Sequence, residues 1–357
     1  MIREIGSEFS LSRYPKATCA VGLPRILELG ADRCLTWLGR TAIDLVLADI
    51  LTYRSVRHVY MPSYCCDSMI APFLERGIRV SFYPVNFSGD LRVEADRDMD
   101  CDIFFSMNYF GPALPEQEAV AEVFRAKGAV IVEDITHSLF SEAPCHSGVD
   151  YTVASLRKWI ESPAGGIAVK YGGSFLVRPE SAPPEAAVTL RLEAMREKDA
   201  YLKGKTADKA AYLEKYSRFN ASLEQDYRGK TMDPFTLGVL RDYDFSGMIQ
   251  KRRENAFRLW QGLEDLPGVT LLVPPHEAAC PLFVPILVPD GQRDALRCWL
   301  IDRQIYCPIH WPLTQLHSPD SRTRQLYDSE LSLVCDQRYT VEDMDRMIHA
   351  MKEFWKR

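Results

Sequence analysis

The feature that most constrains the fold is an alternation of short apolar runs with amphipathic segments, beginning near residue 58. The runs that predict strands read VRHVYMP, RVSFYPV, CDIFFSMNYFG and AVIVED, and residues 151–155 form a further one. Helices are predicted for residues 66–76 and 115–127, and a glycine ends each of them. Strands that alternate with helices predict a mostly parallel sheet with helices on both faces, an α/β architecture.

Polar residues gather near the ends of these predicted strands. Asn108, Asp134, Ser155 and Lys158 each lie close to the end of an apolar run. In open α/β sheets, ligands bind outside the carboxyl ends of the strands. We therefore expect a binding site there.

The stretch from residue 131 to 166 carries a specific chemistry. An acid, Asp134, closes one strand, and Lys158 follows the next, in a loop that Gly165 and Gly166 close. Pyridoxal phosphate (PLP) requires such a pair, because a lysine amine forms a Schiff base with its aldehyde and an acid keeps its pyridine nitrogen protonated. The stretch alone also fits a turn aspartate and a surface lysine, so both interpretations stay open at this point.

A predicted helix that begins near Trp37 offers a second element of a site. Its apolar stripe consists of Ile43, Val46, Leu47 and Ile50, and its first turn carries Gly39, Arg40 and Thr41. Free N–H groups and the helix dipole make such a start a seat for phosphate, to which a guanidinium and a hydroxyl add. The alternative is an ordinary helix start without a ligand.

The chain divides into three predicted parts. Residues 1–30 are irregular and form an N-terminal arm, 31–240 form a large domain, and 241–357 form a smaller C-terminal α/β domain. Within the large domain, residues 180–230 predict two amphipathic helices broken near Gly204. Their expected buried stripes are Val188, Leu192, Met195 and Leu202 in the first helix, and Tyr212, Tyr216, Phe219, Leu223 and Tyr227 in the second. In the final helix, Thr340 and Asp343 form a capping box, and the stripe is Met344, Met347, Ile348 and Met351.

Composition excludes several classes of partner. The 357 residues carry a net charge of −6, so the chain has no basic footprint for nucleic acid. The first residues lack the apolar core of a signal peptide, and no apolar run is long enough to cross a bilayer. Ten cysteines are scattered without the paired spacing of a zinc site. We expect a cytoplasmic protein with reduced thiols and no metal.

Several segments, in one order, resemble the DegT/DnrJ/StrS family of PLP-dependent sugar aminotransferases, whose fold is that of fold type I, aspartate-aminotransferase-like enzymes. The resemblance covers about residues 38–353, except the stretch around 180–230. It rests on LGRTAIDLVL, VYMPSYCCDSMIAPFLERGIRVSFYPV, VEDITHSLF, SLRKWIESPAGGIAV, IYCPIHWPL and LSLVCDQRYTVEDM.

The resemblance implies roles for the matching positions. Lys158 would hold PLP as a Schiff base and carry protons, and Asp134 would pair with the pyridine nitrogen. Ser155 and the helix start at Gly39, Arg40 and Thr41 would hold the phosphate.

Other positions depart from the family pattern. His137 stands where the family usually has glutamine, near the ring oxygen of the cofactor, and a histidine can still donate there. Cys66 falls where an aromatic residue usually stacks on the ring, and it also fits a small core residue. His310 lies in the matching HWP segment and either faces the substrate or is a structural histidine. YRGKTMDPF replaces the loop that normally brings an asparagine from the partner subunit to the phosphate, and Arg228, Lys230 or Thr236 are the candidates to substitute.

The resemblance implies an aminotransferase that takes an amino group from a small-molecule donor and passes it to a carbonyl acceptor, by default a nucleotide-linked keto-sugar or related metabolite. It also implies a homodimer with the active site at the subunit interface. The 180–230 region either lies over the partner's site and sets acceptor choice or forms a surface hairpin that packs on its own subunit, and both interpretations stay open at this point. A PLP-dependent lyase or decarboxylase of the same fold would use the same lysine and aspartate. A third possibility is a protein of this fold that binds a ligand without catalysis.

Overall fold

The computed structural model describes residues 4–11, 28–111, 115–289 and 291–357. Its strands are Ile5–Gly6 (β1), Asp32–Thr36 (β2), His58–Pro62 (β3), Arg79–Tyr83 (β4), Val85–Phe87 (β5), Leu91–Val93 (β6), Ile103–Met107 (β7), Val130–Asp134 (β8), Tyr151–Ser155 (β9), Gly166–Lys170 (β10), Thr270–Leu271 (β11), Val284–Leu287 (β12), Ile305–Tyr306 (β13) and Glu330–Leu333 (β14). Its α-helices are Gly39–Leu51 (α1), Asp67–Leu74 (α2), Pro115–Ala126 (α3), Glu185–Leu202 (α4), Lys209–Ser222 (α5), Pro234–Asp242 (α6), Phe245–Leu263 (α7), Arg293–Asp302 (α8), Ser321–Ser329 (α9) and Val341–Phe354 (α10). A 3₁₀ turn spans Leu156–Lys158.

The chain forms two compact units. The first consists of Met1–Glu4, Glu8–Arg54 and Tyr151–Phe245, and the second of Ile5–Ser7, Ser55–Asp150 and Ser246–Arg357. The division into an arm, a large domain and a small domain, with boundaries at residues 30 and 240, stays a prediction.

The first unit is built on three antiparallel strands. β10 pairs with β2 on one side and with β9 on the other, so that Gly166 lies opposite both Thr36 and Ser155. Helix α1 packs on these strands, and the four residues of its predicted apolar stripe are all buried. This register places the end of β9 beside the start of α1.

The predicted helical region of residues 180–230 consists of α4 and α5, and Gly204 lies between them with φ of +70°. The apolar stripe predicted for the second helix is buried, as expected, but α5 ends at Ser222, before Leu223 and Tyr227. Its residues pack with Trp37 and Leu38 in one cluster and with Phe9 in another, so the two helices pack on their own unit.

The stripe predicted for α4 is wrong at three of its four positions. Only Met195 of that stripe is buried, and the buried face is Ala187, Arg191, Ala194, Met195 and Lys198. Two cations lie on this face, and Glu8 supplies a partner to each. Arg191 Nη2 donates to Glu8 Oε2 at 2.7 Å, and Lys198 Nζ donates to the Glu8 carbonyl oxygen.

The second unit carries the parallel strands that the sequence predicts. β3 pairs in parallel with β4 and with β7, and β7 pairs in parallel with β8. Helix α2 contacts β4, and helix α3 contacts β7 and β8. Every residue of β3, β7 and β8 is buried, as is typical of parallel strands covered on both faces.

The C-terminal part of the second unit has an antiparallel sheet in the order β11-β12-β14. Its core joins α7, α8 and α10 to these strands and includes the four stripe residues predicted for the last helix. The predicted capping box of Thr340 and Asp343 is present.

The nine cysteines among the described residues are free thiols. In that part of the chain, no helix combines the length and the apolar character that crossing a membrane requires.

Candidate active site

The start of α1 in the first unit is suited to bind an anion. Its N-cap, Leu38, makes no side-chain capping bond, and its first turn carries no acid. The first N–H groups of a helix have no partner within the helix, so those of Gly39, Arg40 and Thr41 are open to a ligand. Gly39 lets another element approach closely, because a Cβ there would lie 3.0 Å from the Cβ of Ser155.

The segment around Tyr227 closes one side of this helix start. The Thr41 hydroxyl donates to the Tyr227 carbonyl oxygen at 2.8 Å, and the Arg40 guanidinium lies over the Tyr227 ring, 5.4 Å from its centroid. Since this bond uses the only hydroxyl proton of Thr41, that residue would serve a phosphate through its backbone N–H. Arg40 is partly exposed and adds a positive charge to the same end of the helix.

Ser155 and Lys158 are placed by a tight turn in the first unit. Ser155 ends β9 with extended backbone and caps the 3₁₀ turn, and Lys158 ends that turn, partly buried. Gly165 anchors the loop from both sides: its carbonyl accepts from Leu156 N–H at 2.9 Å, and its N–H donates to the Trp37 carbonyl at 2.6 Å. Gly165 has φ of +128°, which favours glycine. The first unit thus brings Ser155 and the α1 start together, with Lys158 on the same turn.

Asp134 is the last residue of β8 in the second unit and is 7% exposed. Its Oδ1 accepts the backbone N–H of Thr136 at 2.7 Å, which orients the carboxylate. A buried, oriented carboxylate suits a protonated ring nitrogen, since hydrogen bonds between charged partners are the stronger kind.

His137 follows Asp134 by three residues and lies in an aromatic cluster. Its ring stacks on Trp311 at 5.6 Å and lies 5.1 Å from the ring of Phe110. The backbone N–H of Phe110 donates to His137 Nδ1 at 3.4 Å. In a neutral imidazole, an accepting Nδ1 places the proton on Nε2, which is the donor expected at the position where the family has glutamine.

Cys66 is the N-cap of α2 in the second unit and is partly exposed. Its Sγ lies 2.9 Å from the Ser68 hydroxyl. The neighbouring Cys65 is held by the C-terminal part of the unit, because its carbonyl accepts from His317 Nε2 at 2.9 Å and from the Tyr327 hydroxyl at 3.0 Å.

His310 is buried in the same aromatic cluster, with its ring 5.3 Å from that of His137. Its Nδ1 lies 2.7 Å from the Ser332 hydroxyl, and its backbone N–H donates to Glu330 Oε2 at 2.7 Å. The second unit thus brings His137 and His310 together, a contact that their separation in sequence does not reveal.

This cluster also contains Glu330, Ser332, Trp311 and Phe110, which the sequence patterns did not predict. Glu330 has the clearest signal in the sequence, since an acid begins the apolar run ELSLV, which forms a fully buried strand. A buried acid in an apolar strand needs hydrogen-bond partners, and such buried acids often mark functional sites.

A cavity of about 760 Å³ lies within the second unit. Phe110 and Phe283 line it, and the ring of Phe283 is 4.8 Å from that of His310. Trp260, Phe257 and Arg253 line another part of it. Its volume falls in the range of about 300–1,000 Å³ that is usual for small-molecule sites.

Solved structures with this fold share most of the chain. The aminotransferase TlmJ from Streptoalloteichus hindustanus is 16% identical, with a TM-score of 0.60, over 92% of this chain and 87% of its own. PseC from Helicobacter pylori, an aminotransferase involved in the biosynthesis of pseudoaminic acid, is 15% identical with a TM-score of 0.61, over 92% and 88%. Spr1654 from Streptococcus pneumoniae, in its PLP form, is 17% identical with a TM-score of 0.65, over 96% and 93%.

The chain has the fold of these aminotransferases. The predicted fold, that of fold type I PLP-dependent enzymes, is therefore confirmed. No family model matches the chain, and no curated protein matches its sequence.

The residues of this aminotransferase fold also fit PLP chemically. In the first unit, the uncapped start of α1 beside Ser155 suits the phosphate, and Lys158 supplies an amine. In the second unit, the buried Asp134 carboxylate suits a protonated ring nitrogen, and His137 offers a donor. Among the described residues, no group of three or more His, Cys, Asp or Glu side chains could hold a metal ion.

Proposed function

We propose that the protein is a PLP-dependent aminotransferase that transfers an amino group from a small-molecule donor to a carbonyl acceptor. The observation that carries this proposal is the turn after β9, which holds Ser155 against the uncapped start of α1 and ends on Lys158. A phosphate seat and a lysine on one short segment are what the cofactor requires. The fold supports the same conclusion.

Each predicted site residue has a task in this proposal. Lys158 would hold PLP, and when bound, PLP supplies an electron sink for the carbon that carries the amino group. The Lys158 amine would take a proton from that carbon and return it to a neighbouring atom. Asp134, held by Thr136 N–H, keeps a proton on the ring nitrogen.

The remaining predicted site residues would bind and orient the cofactor. The backbone N–H groups of residues 39–41, with Arg40 and Ser155, would hold the phosphate and so orient the cofactor. His137 would donate from Nε2 to the ring oxygen, and Cys66 would contact the ring.

For the acceptor, we propose a nucleotide-linked keto-sugar or a related small metabolite. PseC, a protein of similar fold, takes part in the biosynthesis of pseudoaminic acid. The cavity lined by Phe110 and Phe283 is large enough for such a molecule and borders the His310 ring, which supports a role for His310 at the acceptor.

We further propose a cytoplasmic homodimer whose active site is completed across two chains, with α4 and α5 reaching the partner's site. The packing of these helices on their own unit is compatible with this role. Light scattering tests it: a monomeric mass with intact activity contradicts the proposal.

The function is tested by loading the purified protein with PLP and adding amino donors. An aminotransferase bleaches the yellow colour and leaves a keto acid, which enzymatic assay or mass spectrometry detects. A lyase or decarboxylase releases a different product, and a binding protein shows no turnover. Either of these last two results contradicts the proposal.

A further inference from the structure

We infer that Glu330, Ser332 and His310 form a buried proton relay that decides which ring nitrogen of His310 carries a proton. Through it, His310 Nε2 accepts a proton in one state of the relay and offers one in the other. The existence of the relay is independent of the proposed function, and only its use on the acceptor substrate rests on that proposal.

The relay is a continuous chain of short hydrogen bonds in the second unit. The Ser332 hydroxyl lies 2.5 Å from Glu330 Oε1 and 2.7 Å from His310 Nδ1. The other carboxylate oxygen, Oε2, accepts the backbone N–H of His310 at 2.7 Å, which fixes the carboxylate relative to the ring. Glu330 and Ser332 are fully buried, so exchange with bulk water does not interrupt the chain.

The single hydroxyl of Ser332 lies between Glu330 and His310, so it couples the protonation state of Glu330 to the tautomer of the His310 ring. When Glu330 is ionised, Ser332 donates to it and must accept from His310 Nδ1–H, which leaves a lone pair on Nε2. When Glu330 is protonated, it donates to Ser332, and Ser332 donates to Nδ1. The proton of the ring is then on Nε2.

Passage between the two states moves one proton without forming an imidazolium as a stable species. A proton binds at Nε2, the Nδ1 proton moves to Ser332 Oγ, and the Ser332 proton moves to Glu330 Oε1. Three N–H or O–H bonds form and two break, so the net change is the uptake of one proton, which neutralises the carboxylate. The reverse sequence releases that proton from Nε2.

The surroundings of Glu330 allow both its ionised and its protonated state. Burial raises the pKa of Glu330 to about 8, although the Ser332 hydroxyl, the His310 N–H and the charge of Arg293 offset part of the effect. Arg293 donates to the backbone carbonyl of Glu330 at 3.1 Å. Within the described residues, no Lys or Arg nitrogen lies within 4.0 Å of this carboxylate, so no salt bridge fixes its charge.

Besides the charged Arg293, two titratable side chains that face Glu330, Tyr64 and Cys307, are neutral near pH 8. Burial raises the pKa of Tyr64 well above its usual range, and burial raises the pKa of Cys307 to about 12. Neither side chain therefore changes its charge where Glu330 titrates.

The ring of His310 lies where a relay would be useful. Its neighbours are the rings of His137, Phe110, Phe283 and Trp311. Phe110 and Phe283 line the cavity proposed for the acceptor, and the His310 side chain is only 8% exposed. His137, with Nδ1 accepting, offers a proton from Nε2, whereas His310 takes or gives one as Glu330 dictates. We call His310 the terminus of the relay, and Glu330 and Ser332 its positioning residues.

Nitrogen-15 NMR of the histidine rings in the full-length protein tests the relay without any substrate. The chain has seven histidines, and the His310 signals are assigned by their loss in His310→Gln. In the wild type, we expect the proton of the neutral ring on Nε2 below about pH 8 and on Nδ1 above it. The ring should not become doubly protonated in this range.

Two variants and a control separate the relay from a structural network. Glu330→Gln cannot ionise, and its amide donates to Ser332, so we expect the Nε2–H form at every pH. Ser332→Ala should abolish the dependence on pH, and Ser332→Thr should restore it. Ser63→Ala removes another buried hydroxyl of the same unit, bonded to Thr323, and should leave the His310 transition unchanged.

Activity provides a second readout if Glu330→Gln fails to fold. The relay predicts a transition near pH 8 in kcat/KM for amino transfer that Ser332→Ala loses while Ser63→Ala keeps it. A His310 tautomer that stays constant with pH in the wild type, or a doubly protonated ring beside an ionised Glu330, overturns the relay. Absence of amino transfer with an intact tautomer switch contradicts the proposed function and leaves the relay standing.

Discussion

Glu8 in the first unit and Glu330 in the second show opposite pKa shifts, and they differ in exposure, since the Glu8 side chain is 36% exposed whereas Glu330 is fully buried. Burial raises the pKa of both, but at Glu8 the charge of Arg191 and its hydrogen bond outweigh this effect, with help from Arg157 and Lys198, and the pKa falls to about 2. At Glu330 the partners are chiefly neutral donors, and the pKa rises to about 8. A cation on the carboxylate therefore fixes the charge, whereas neutral donors leave the proton exchangeable.

The same contrast separates the candidate site residues of the first unit from those of the second. The first unit contributes fixed charge and attachment: the α1 start, Arg40 and Lys158. The second contributes groups that hold or exchange protons, namely Asp134, His137, and His310 with its relay. Substitutions in the first unit should mainly affect binding of the cofactor, and substitutions in the second should mainly affect the rate and its dependence on pH.

The largest effect is expected for Lys158→Ala. Loss of the amine removes both the covalent attachment of PLP and the proton carrier, so the visible absorbance of lysine-bound PLP and essentially all turnover should disappear. Absorbance spectra and a keto-acid assay measure this. Lys203→Ala serves as the control, since Lys203, the C-cap of α4, is half-exposed and its Nζ pairs with Asp199. Undiminished turnover in Lys158→Ala contradicts the assignment of this lysine.

Asp134→Asn should keep the absorbance of bound PLP but lower the rate by orders of magnitude. An amide cannot hold the ring nitrogen protonated, and the lost charge-assisted bond contributes about 1.5–3 kcal/mol. Single-turnover kinetics measure the amino-transfer step directly.

Asp150→Asn is a matched control for Asp134→Asn. Asp150 accepts Ile131 N–H of the same strand at 2.8 Å, away from the predicted ligand-binding end. The Asp150→Asn substitution should leave the amino-transfer rate unchanged. An Asp134→Asn rate within a few-fold of the wild type rules out the role given to Asp134.

Local patterns were enough to predict much of the fold. The alternation of apolar runs predicted β3, β4, β7 and β8, and the parallel arrangement followed from the helices between them. The C-terminal capping box and the apolar stripe of α1 depend on neighbours within a few residues, and both predictions are confirmed.

Pairings between distant residues were not predictable from these patterns. The buried face of α4 includes Arg191 because its partner Glu8 lies 183 residues earlier in the chain. β10 lies between β2 and β9 with antiparallel pairing, which no periodicity indicates. The relay likewise depends on β14 placing Ser332 beside a histidine 22 residues away. The roles of the predicted site residues stay predictions.

Glu8→Gln should change stability moderately and only above acidic pH. Because the folded-state pKa of Glu8 is lowered from 4.5 to about 2, its ion pair stabilises the protein fully above about pH 4.5. That contribution is lost as pH falls towards 2. We expect a lower melting temperature than the wild type at pH 7 and a difference that vanishes near pH 2.

Thermal unfolding, followed by circular dichroism between about pH 2 and pH 7, measures this difference in melting temperature. Glu193→Gln is the control, because the Glu193 side chain is 46% exposed and its partner Lys215 also pairs with Glu197, so the loss of this one pair should contribute little. A difference between Glu8→Gln and the wild type that persists unchanged at pH 2 contradicts the fixed-charge description of the first unit.

The smallest effect is expected for Arg228→Ala. Arg228 follows Tyr227, whose carbonyl accepts from Thr41 at the start of α1, and its Nε lies 3.6 Å from Asp44 Oδ1 of that helix. The guanidinium is 45% exposed, so its charge reaches the proposed phosphate seat through screened solvent. Removing it should weaken PLP binding by about two- to five-fold, corresponding to roughly 0.5–1 kcal/mol. The melting temperature should hardly change.

Lys230→Ala is the matched comparison for this test. Lys230 is only 14% exposed, and its Nζ lies 3.0 Å from Asp226 Oδ2, so its charge is largely compensated. PLP titrations at low and at high salt should show a loss for Arg228→Ala that shrinks as salt increases, and a smaller loss for Lys230→Ala. Equal, wild-type affinity in both variants at low salt would mean that the segment after Tyr227 only packs on its own unit. The fixed charge of the phosphate seat would then come from the α1 start and Arg40 alone.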